Sequence, residues 1–171
     1  MVTAFDTDGG RLTAVDGVSF AAERGKTLGV VGESGCGKSV TALSIMRLLP
    51  QPMGHILGGE ILFEGVDLAK ISADAMHEVR GAKIGMIFQE PMTALNPVHR
   101  IGRQLSEVFL IHRKDMDKKA AWEASVEILG KVGIPSPEIR YGEYPHQLSG
   151  GMRQRAMIAM ALALKPSLLI A

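Results

Sequence analysis

The sequence predicts an α/β fold in which a phosphate-binding core is interrupted by a helical insertion. Three observations lead there. Residues 32–39, Gly-Glu-Ser-Gly-Cys-Gly-Lys-Ser, fit the pattern G-x-x-x-x-G-K-[ST] in full. A short, nearly all-apolar run, Thr27-Leu28-Gly29-Val30-Val31, precedes them, and a stretch of helical composition from Ser39 to Leu49 follows and stops at Pro50. From about Ile101 to Val132 the chain then turns helical and charged, which marks the insertion.

Each residue type in the loop has a physical task. Gly32, Gly35 and Gly37 let the backbone curl, so that successive N–H groups, including those of Glu33, Ser34 and Cys36, converge on an anion. Lys38 adds a point charge toward the β- and γ-phosphates, and the Ser39 hydroxyl is a ligand for Mg²⁺. Val40 follows in the same helical turn, whose N-terminus faces the phosphates. A glycine-rich turn without function would share the composition but not this strand-loop-helix context. The dinucleotide fingerprint G-x-G-x-x-G does not fit glycines at 32, 35 and 37. Cys36 reads as a small filler whose backbone N–H matters more than its thiol.

Other candidate elements follow in order. Leu12–Ala22 and Gly59–Phe63 have strand character between turn residues, and Ile84–Phe88 is a short apolar strand. Gly133-Ile134-Pro135-Ser136-Pro137 breaks the helical pattern, and Tyr144-Pro145-His146 makes a turn. Gly150–Leu164 reads as a helix in which Met152, Met157 and Met160 pack, and Ser167–Ala171 begins another buried strand. No internal repeat or low-complexity tract is present.

Composition bounds the possible functions. The chain has 171 residues, 46% of them hydrophobic, a net charge of +1 and one cysteine. That is enough apolar material for a real core. It leaves no basic surface to argue for nucleic acid or an anionic membrane. A single cysteine suits a reducing compartment. The apolar stretch Ala156–Leu164 stops at Lys165-Pro166, short of the roughly 20 residues that span a bilayer. The start lacks a signal-peptide pattern, so membrane association is expected to come through a partner. His55, His77, His99, His112 and His146 show no metal-ligand spacing and read as surface or turn residues.

Four segments together carry a family resemblance. They are Ala14-Val15-Asp16-Gly17-Val18-Ser19-Phe20, the loop at 32–39, Met86-Ile87-Phe88-Gln89-Glu90-Pro91-Met92-Thr93-Ala94-Leu95-Asn96-Pro97, and Tyr144-Pro145-His146-Gln147-Leu148-Ser149-Gly150-Gly151-Met152-Arg153-Gln154-Arg155. On these the chain resembles the ATP-binding subunit of an ABC transporter, within the oligopeptide/dipeptide/nickel importer family. The wording around Gln89, with the Leu49–Gly59 segment, is more similar to the first of two paralogous ATPases than to the second. The resemblance implies a P-loop NTPase core of ABC type, an antiparallel β-subdomain and an inserted α-helical subdomain. It places the β/α core at about 1–90 and 160–171 and the helical subdomain at about 91–159.

The resemblance also implies roles. Gln89 would reach Mg²⁺ and the attacking water, and Ser149, Gly150 and Gly151 would bind, in trans, the γ-phosphate held by an opposite subunit. Phe5 would stack on adenine. Implied cofactors are ATP and Mg²⁺. Implied partners are a second ATPase subunit (paralogue or self), transmembrane permease subunits and, indirectly, an extracytoplasmic solute-binding protein, at the cytoplasmic face of the plasma or inner membrane. Each residue also has a plainer reading. Gln89 could be solvated after a strand, Ser149 is a natural N-cap in any case, and Phe5 could be core.

Against the family pattern, the chain opens inside the first β-hairpin. It ends immediately before the aspartate that helps hold Mg²⁺ and the glutamate that polarises water, and the switch histidine would lie beyond Ala171. The expectation is therefore a fragment truncated at both ends, without a general base, that binds nucleotide weakly, does not turn it over and aggregates because a core strand lacks its neighbours. Three functional classes stand at this point. They are the energy-coupling subunit of a peptide-type importer, a soluble ABC ATPase of DNA repair or translation, and a non-hydrolysing nucleotide-binding module. The short separation of Gln89 and Leu148 and the lack of a basic surface disfavour the second.

Overall fold

The computed structural model describes residues 1–90 and 94–171. Pro91, Met92 and Thr93, which belong to the family-type wording after Gln89, lie outside the described residues. The chain divides into two compact units, Met1–Met76 and His77–Ala171, each with its own buried side chains.

The first unit is built on an antiparallel sheet of β1 (Val2–Thr7), β2 (Gly10–Val15) and β3 (Gly54–Gly58), with β1 in the centre. The β1–β2 hairpin closes through Asp8-Gly9, with Gly10 at φ 108°, which an L side chain rarely adopts. Helix α1 (Lys38–Ile45) is fastened to the sheet by a bond between the Ser44 and Thr3 hydroxyls, 2.9 Å apart and both fully buried. A second small hairpin joins β4 (Leu62–Phe63) to β5 (Val66–Asp67). Its two loop residues, Glu64 and Gly65, both have positive φ, as a type I′ turn requires. The Asp67 carboxylate accepts from the Ile61 and Ala69 N–H groups and so staples this hairpin to its flanks. Helix α2 (Ala73–Val79) follows, with Met76 fully buried.

In the second unit, β6 (Ile84–Met86) and β7 (Leu168–Ile170) pair in parallel. The helices are α3 (Ile101–His112), α4 (Lys118–Lys131), α5 (Pro137–Tyr141) and α6 (Gly150–Leu162), with a 3₁₀ turn at Pro145–Gln147. Spacing by fours sets their inner faces: Ile101, Leu105 and Phe109 on α3 meet Ala121 and Leu129 on α4, with Ile134, Leu148, Ala156 and Ala159 completing the core. Each large aliphatic side chain buried there contributes about 1.5–3 kcal/mol before entropy is counted. Several polar side chains inside are paired, while Arg140 Nε and Glu143 Oε2 are buried without a hydrogen bond. The Ser106 hydroxyl bonds to those of Ser125 (3.0 Å) and Tyr141 (2.8 Å). The Gln104 side chain accepts from Asn96 N–H and donates to the Asn96 and His99 carbonyls, fixing the entry to α3. Asp117 caps α4 by accepting from Ala120 N–H at 2.7 Å. Met157 is buried and Met152 and Met160 pack against the core, as helix-packing residues should.

The structure corrects several expected elements. The buried strand over Thr27–Val31 does not form: Leu28, Val30 and Val31 are 45, 52 and 92% exposed. Consecutive apolar residues make a stable strand only when neighbours cover both faces, and among the described residues no strand pairs with this run. The expected strand Leu12–Ala22 ends at Val15, because Gly17 turns into the left-handed region at φ 65°. Gly59, at φ 84°, separates β3 from β4 where a single strand Gly59–Phe63 is expected from sequence. The strand Ile84–Phe88 shortens to Ile84–Met86, although the Ile87 N–H still bonds to the Ile170 carbonyl at 2.8 Å.

Candidate functional site

The loop Gly32–Ser39 joins the exposed run to α1 and is itself open to solvent from Gly32 to Cys36. Two of its glycines hold left-handed backbone, Gly35 at φ 82° and Gly37 at φ 92°. Gly37 is the N-cap of α1 and has a further constraint, since a Cβ there would stand 2.7 Å from the Ala14 carbonyl oxygen and 3.4 Å from Val15 Cγ2. The loop is thus seated on the end of β2. At Gly32 a Cβ would meet Cys36 Sγ at 2.5 Å, so the small residue and the thiol pack as a pair across the loop.

The charge arrangement favours an anion. No side chain caps the start of α1, and no acidic residue lies in its first turn. Its first N–H groups and the positive end of its dipole therefore face the loop without a built-in counter-charge. Lys38 is folded back: its ammonium donates to the Gly32 and Glu33 carbonyls, each at 2.7 Å, and lies 3.6 Å from Cys36 Sγ. Those carbonyls hold the cation at the loop's mouth. Ser39 is exposed in the first helical turn and Val40 is half-buried beside it. Inside the helix, Thr41 Oγ1 donates to the Gly37 carbonyl at 3.0 Å.

Phe5 lies in the same unit. It sits on β1 opposite Leu12 of β2 and Gly54 of β3, half-buried. Thr3, two residues earlier on β1, pairs with Val15, the neighbour of Gly37. Residues two apart on a strand share a face and are separated by roughly 7 Å. Phe5 therefore stands on the α1 side of the sheet, one step along from the loop.

Gln89 and the turn at Ser149 belong to the second unit. Gln89 is exposed just beyond β6. Ser149 is the N-cap of α6, its Oγ accepting from Met152 N–H at 3.3 Å. Gly150 and Gly151 are exposed, and a Cβ on Gly151 would meet nothing within 4 Å. Neither packing nor positive φ therefore demands glycine there. Absence of a side chain leaves the helix start open, and no acidic residue lies in the first turn of α6. The turn is anchored by Leu148, which is buried, and by Arg155, which donates to the Gly133 carbonyl at 2.6 Å. At its other end α6 lies so close to β6 that a Cβ on Gly85 would come within 2.5 Å of the Ala161 carbonyl oxygen. One helix thus ties the Ser149 turn to the strand that leads into Gln89. Beside it, Tyr144 stacks on His146 and lies under the Arg100 guanidinium.

Sequence reasoning did not reach two contributors. The Ala14 carbonyl that seats Gly37 acts through its backbone, which no residue type reports. Gly54, opposite Phe5, had as its only signal a lone glycine shortly after Pro52.

The antiparallel sheet, the phosphate-type loop at a helix N-terminus and the helical unit define an α/β protein of the phosphate-loop class. Residues 15–171 match the family model described as ABC transporter. The chain belongs to the ABC transporter family. It is 54% identical over 171 residues to the oligopeptide transport ATP-binding protein OppD of Bacillus subtilis (strain 168), covering 100% of this chain and 48% of that protein. It is 54% identical over 168 residues to the dipeptide transport ATP-binding protein DppD of the same organism, covering 98% of this chain and 50% of that protein. The chain spans about half the length of these curated relatives. Among solved structures, the dimeric post-hydrolysis state of the ATP-binding cassette MJ0796 bound to ADP and Pi superposes with a TM-score of 0.81 at 24% identity, over 99% of this chain and 72% of that one. That likeness establishes the fold. Among the described residues no helix is long and apolar enough to cross a membrane.

Proposed function

We propose that this chain is part of the ATP-binding, energy-coupling subunit of an ABC importer for peptides or related solutes. The observation that carries the reading is the uncapped N-terminus of α1, where Gly37 is seated on β2 and the Lys38 ammonium waits at the loop's mouth. The names and identity of the peptide-transport relatives support the solute class.

In this reading the backbone N–H groups of residues 33–39 receive the phosphates. Lys38 exchanges its two carbonyl acceptors for phosphate oxygens, a stronger, charge-assisted pairing. Phe5 stacks on the base. The exposed Ser39 hydroxyl would hold a magnesium ion, which when bound neutralises charge on the β- and γ-phosphates. Ser149, Gly150 and Gly151 present a hydroxyl and two unhindered N–H groups at a helix start, suited to the γ-phosphate on a second ATPase subunit, either a copy or a paralogue. ATP binding then closes a dimer, and hydrolysis by the intact protein resets it. Residues about 91–159 act as the helical subdomain and about 1–90 with 160–171 as the core. Attachment to the cytoplasmic face of the membrane comes through permease subunits, which receive solute from an extracytoplasmic binding protein.

The test is peptide uptake and ATP hydrolysis by the intact transporter carrying Lys38→Ala. Both should fall to background while assembly with the permease persists. Retained uptake would refute the assignment.

A further inference from the structure

Gly54 lies opposite Phe5 across the β1–β3 pair, and three neighbours crowd the place where a side chain would begin. A Cβ there would stand 2.7 Å from Leu49 Cβ, 3.1 Å from the Pro50 carbonyl oxygen and 3.2 Å from Phe5 Cε1. No φ for Gly54 falls in the left-handed region, so its backbone does not require glycine. Space is the only reason for it, and the Phe5 ring occupies part of that space.

The crowding comes from the segment that follows α1. After the helix the chain turns at Pro50, where Gly54 N–H donates to the Pro50 carbonyl at 2.7 Å and Gln51 Nε2 donates to the Gly54 carbonyl at 3.3 Å. Asp6 N–H, next to Phe5, donates to the Met53 carbonyl at 2.9 Å. One short turn therefore grips β1 beside the aromatic ring and, through α1, is continuous with the phosphate loop.

We infer that Gly54 is a positioning residue that sets the seat of the Phe5 ring and, through it, the contribution of the base to nucleotide affinity. The inference rests on the reading of Phe5 as the adenine platform. A Cβ at 54 meets Leu49 Cβ first, at 2.7 Å, and pushes the turn that grips β1, while the Phe5 ring, 3.2 Å away, gives by a few tenths of an ångström or tilts. Offset stacking is sensitive to such shifts. Phosphate recognition, which lies at the other end of α1, is left intact.

The experiment compares ATP with inorganic tripolyphosphate, both with Mg²⁺, by calorimetric titration of the intact protein. Phe5→Ala should weaken ATP by about tenfold and Gly54→Ala by about three- to tenfold, from the usual worth of an aromatic stack, with tripolyphosphate unchanged in both. In the Phe5→Ala background, Gly54→Ala should have no further effect on the ratio of the two affinities. A purely structural role would lower both affinities together. Gln51→Ala is the second variant, since it loosens the same turn from an exposed position, and it should lower the ratio about twofold. If Phe5→Ala leaves the ratio unchanged, Phe5 is not the platform and the inference falls with it. If Phe5→Ala lowers the ratio but neither Gly54→Ala nor Gln51→Ala does, the positioning role alone is overturned.

Discussion

Gly35 and Gly37 share a backbone region but not surroundings, and the comparison isolates what the seat of the phosphate loop is worth. At Gly35, φ is 82° and a Cβ would meet nothing within 4 Å. Gly35→Ala therefore carries only left-handed strain, about 1–2 kcal/mol. At Gly37, φ is 92° and a Cβ would stand 2.7 Å from the Ala14 carbonyl, a backbone atom of β2 that cannot swing aside. Overpacking of this kind adds about 1–3 kcal/mol, for a total of about 2–5 kcal/mol. The exposed loop gives way before the sheet does, so the strain is released by moving the N–H groups of residues 33–39. Nucleotide must restore them on binding. At about 1.4 kcal/mol per tenfold, Gly37→Ala should weaken ATP by about 30- to 4,000-fold, and Gly35→Ala by about 5- to 30-fold. Titration calorimetry reads the affinities, and circular dichroism checks that both variants keep their helix content. Equal losses in the two variants, or a larger loss at Gly35, would refute the argument that the Ala14 carbonyl seats the loop.

Three further outcomes follow from other parts of the molecule. Gly102→Ala would drive a Cβ into the Tyr141 ring, so it should destabilise by about 1–3 kcal/mol and perturb the fluorescence of Trp122, the chain's single tryptophan, which meets Tyr141 edge-on; an unchanged melting temperature and spectrum would count against that packing. Ser149→Arg places a long cation at the exposed start of α6, and it should leave ATP affinity within about twofold while abolishing ATP-driven dimerisation; sedimentation showing a normal dimer would sink the trans-site reading. Asp6 is held below the ordinary carboxylate range first by its hydrogen bond from Arg11, with Arg11 charge and His55 adding to it. Because its folded-state pKa is depressed, its contribution is present above the unfolded value of about 3.9 and is lost as pH falls through the lower folded value. Asp6→Asn should therefore flatten the acid side of a urea-midpoint profile below about pH 4 and leave its shape above pH 5 unaltered.

The legibility of this chain in its sequence varies with how local the determining physics is. The phosphate loop, the start of α1 after it and Ser149 as the cap of α6 were readable, because glycines at fixed offsets and a hydroxyl before a helix act on their own neighbours; α1 itself ends at Ile45 rather than Leu49, and Arg47 turns to φ 49°. The helical character of Ile101–Val132 was readable from composition, while the inner faces of α3 and α4 emerge only from their packing. Thr27–Val31 was misread because an apolar run states a demand for burial and cannot say whether partners are in place. The strand β3 escaped notice, since Gly54 and Gly58 dilute its pattern and its register is set by β1. Gly85 and Gly102 look like ordinary interruptions of a strand and a helix. Only packing explains them, one by the Ala161 carbonyl and the other by the Tyr141 ring.

The chain exposes Leu12, Val18, Phe20, Leu28, Val30 and Val31 in its first unit, and such a surface favours association. Gel filtration of the 171-residue chain should show self-association that declines at low concentration, and a monodisperse monomer at every concentration would contradict this.

The central claim is that the loop at the start of α1 binds the phosphates of a nucleotide through Lys38 and the backbone around it. Equilibrium titration of ATP against the intact protein and its Lys38→Ala variant tests this most directly. Loss of a charge-assisted contact predicts an affinity reduced by about 10- to 150-fold, with the fold retained. ATP affinity unchanged by Lys38→Ala would contradict the account.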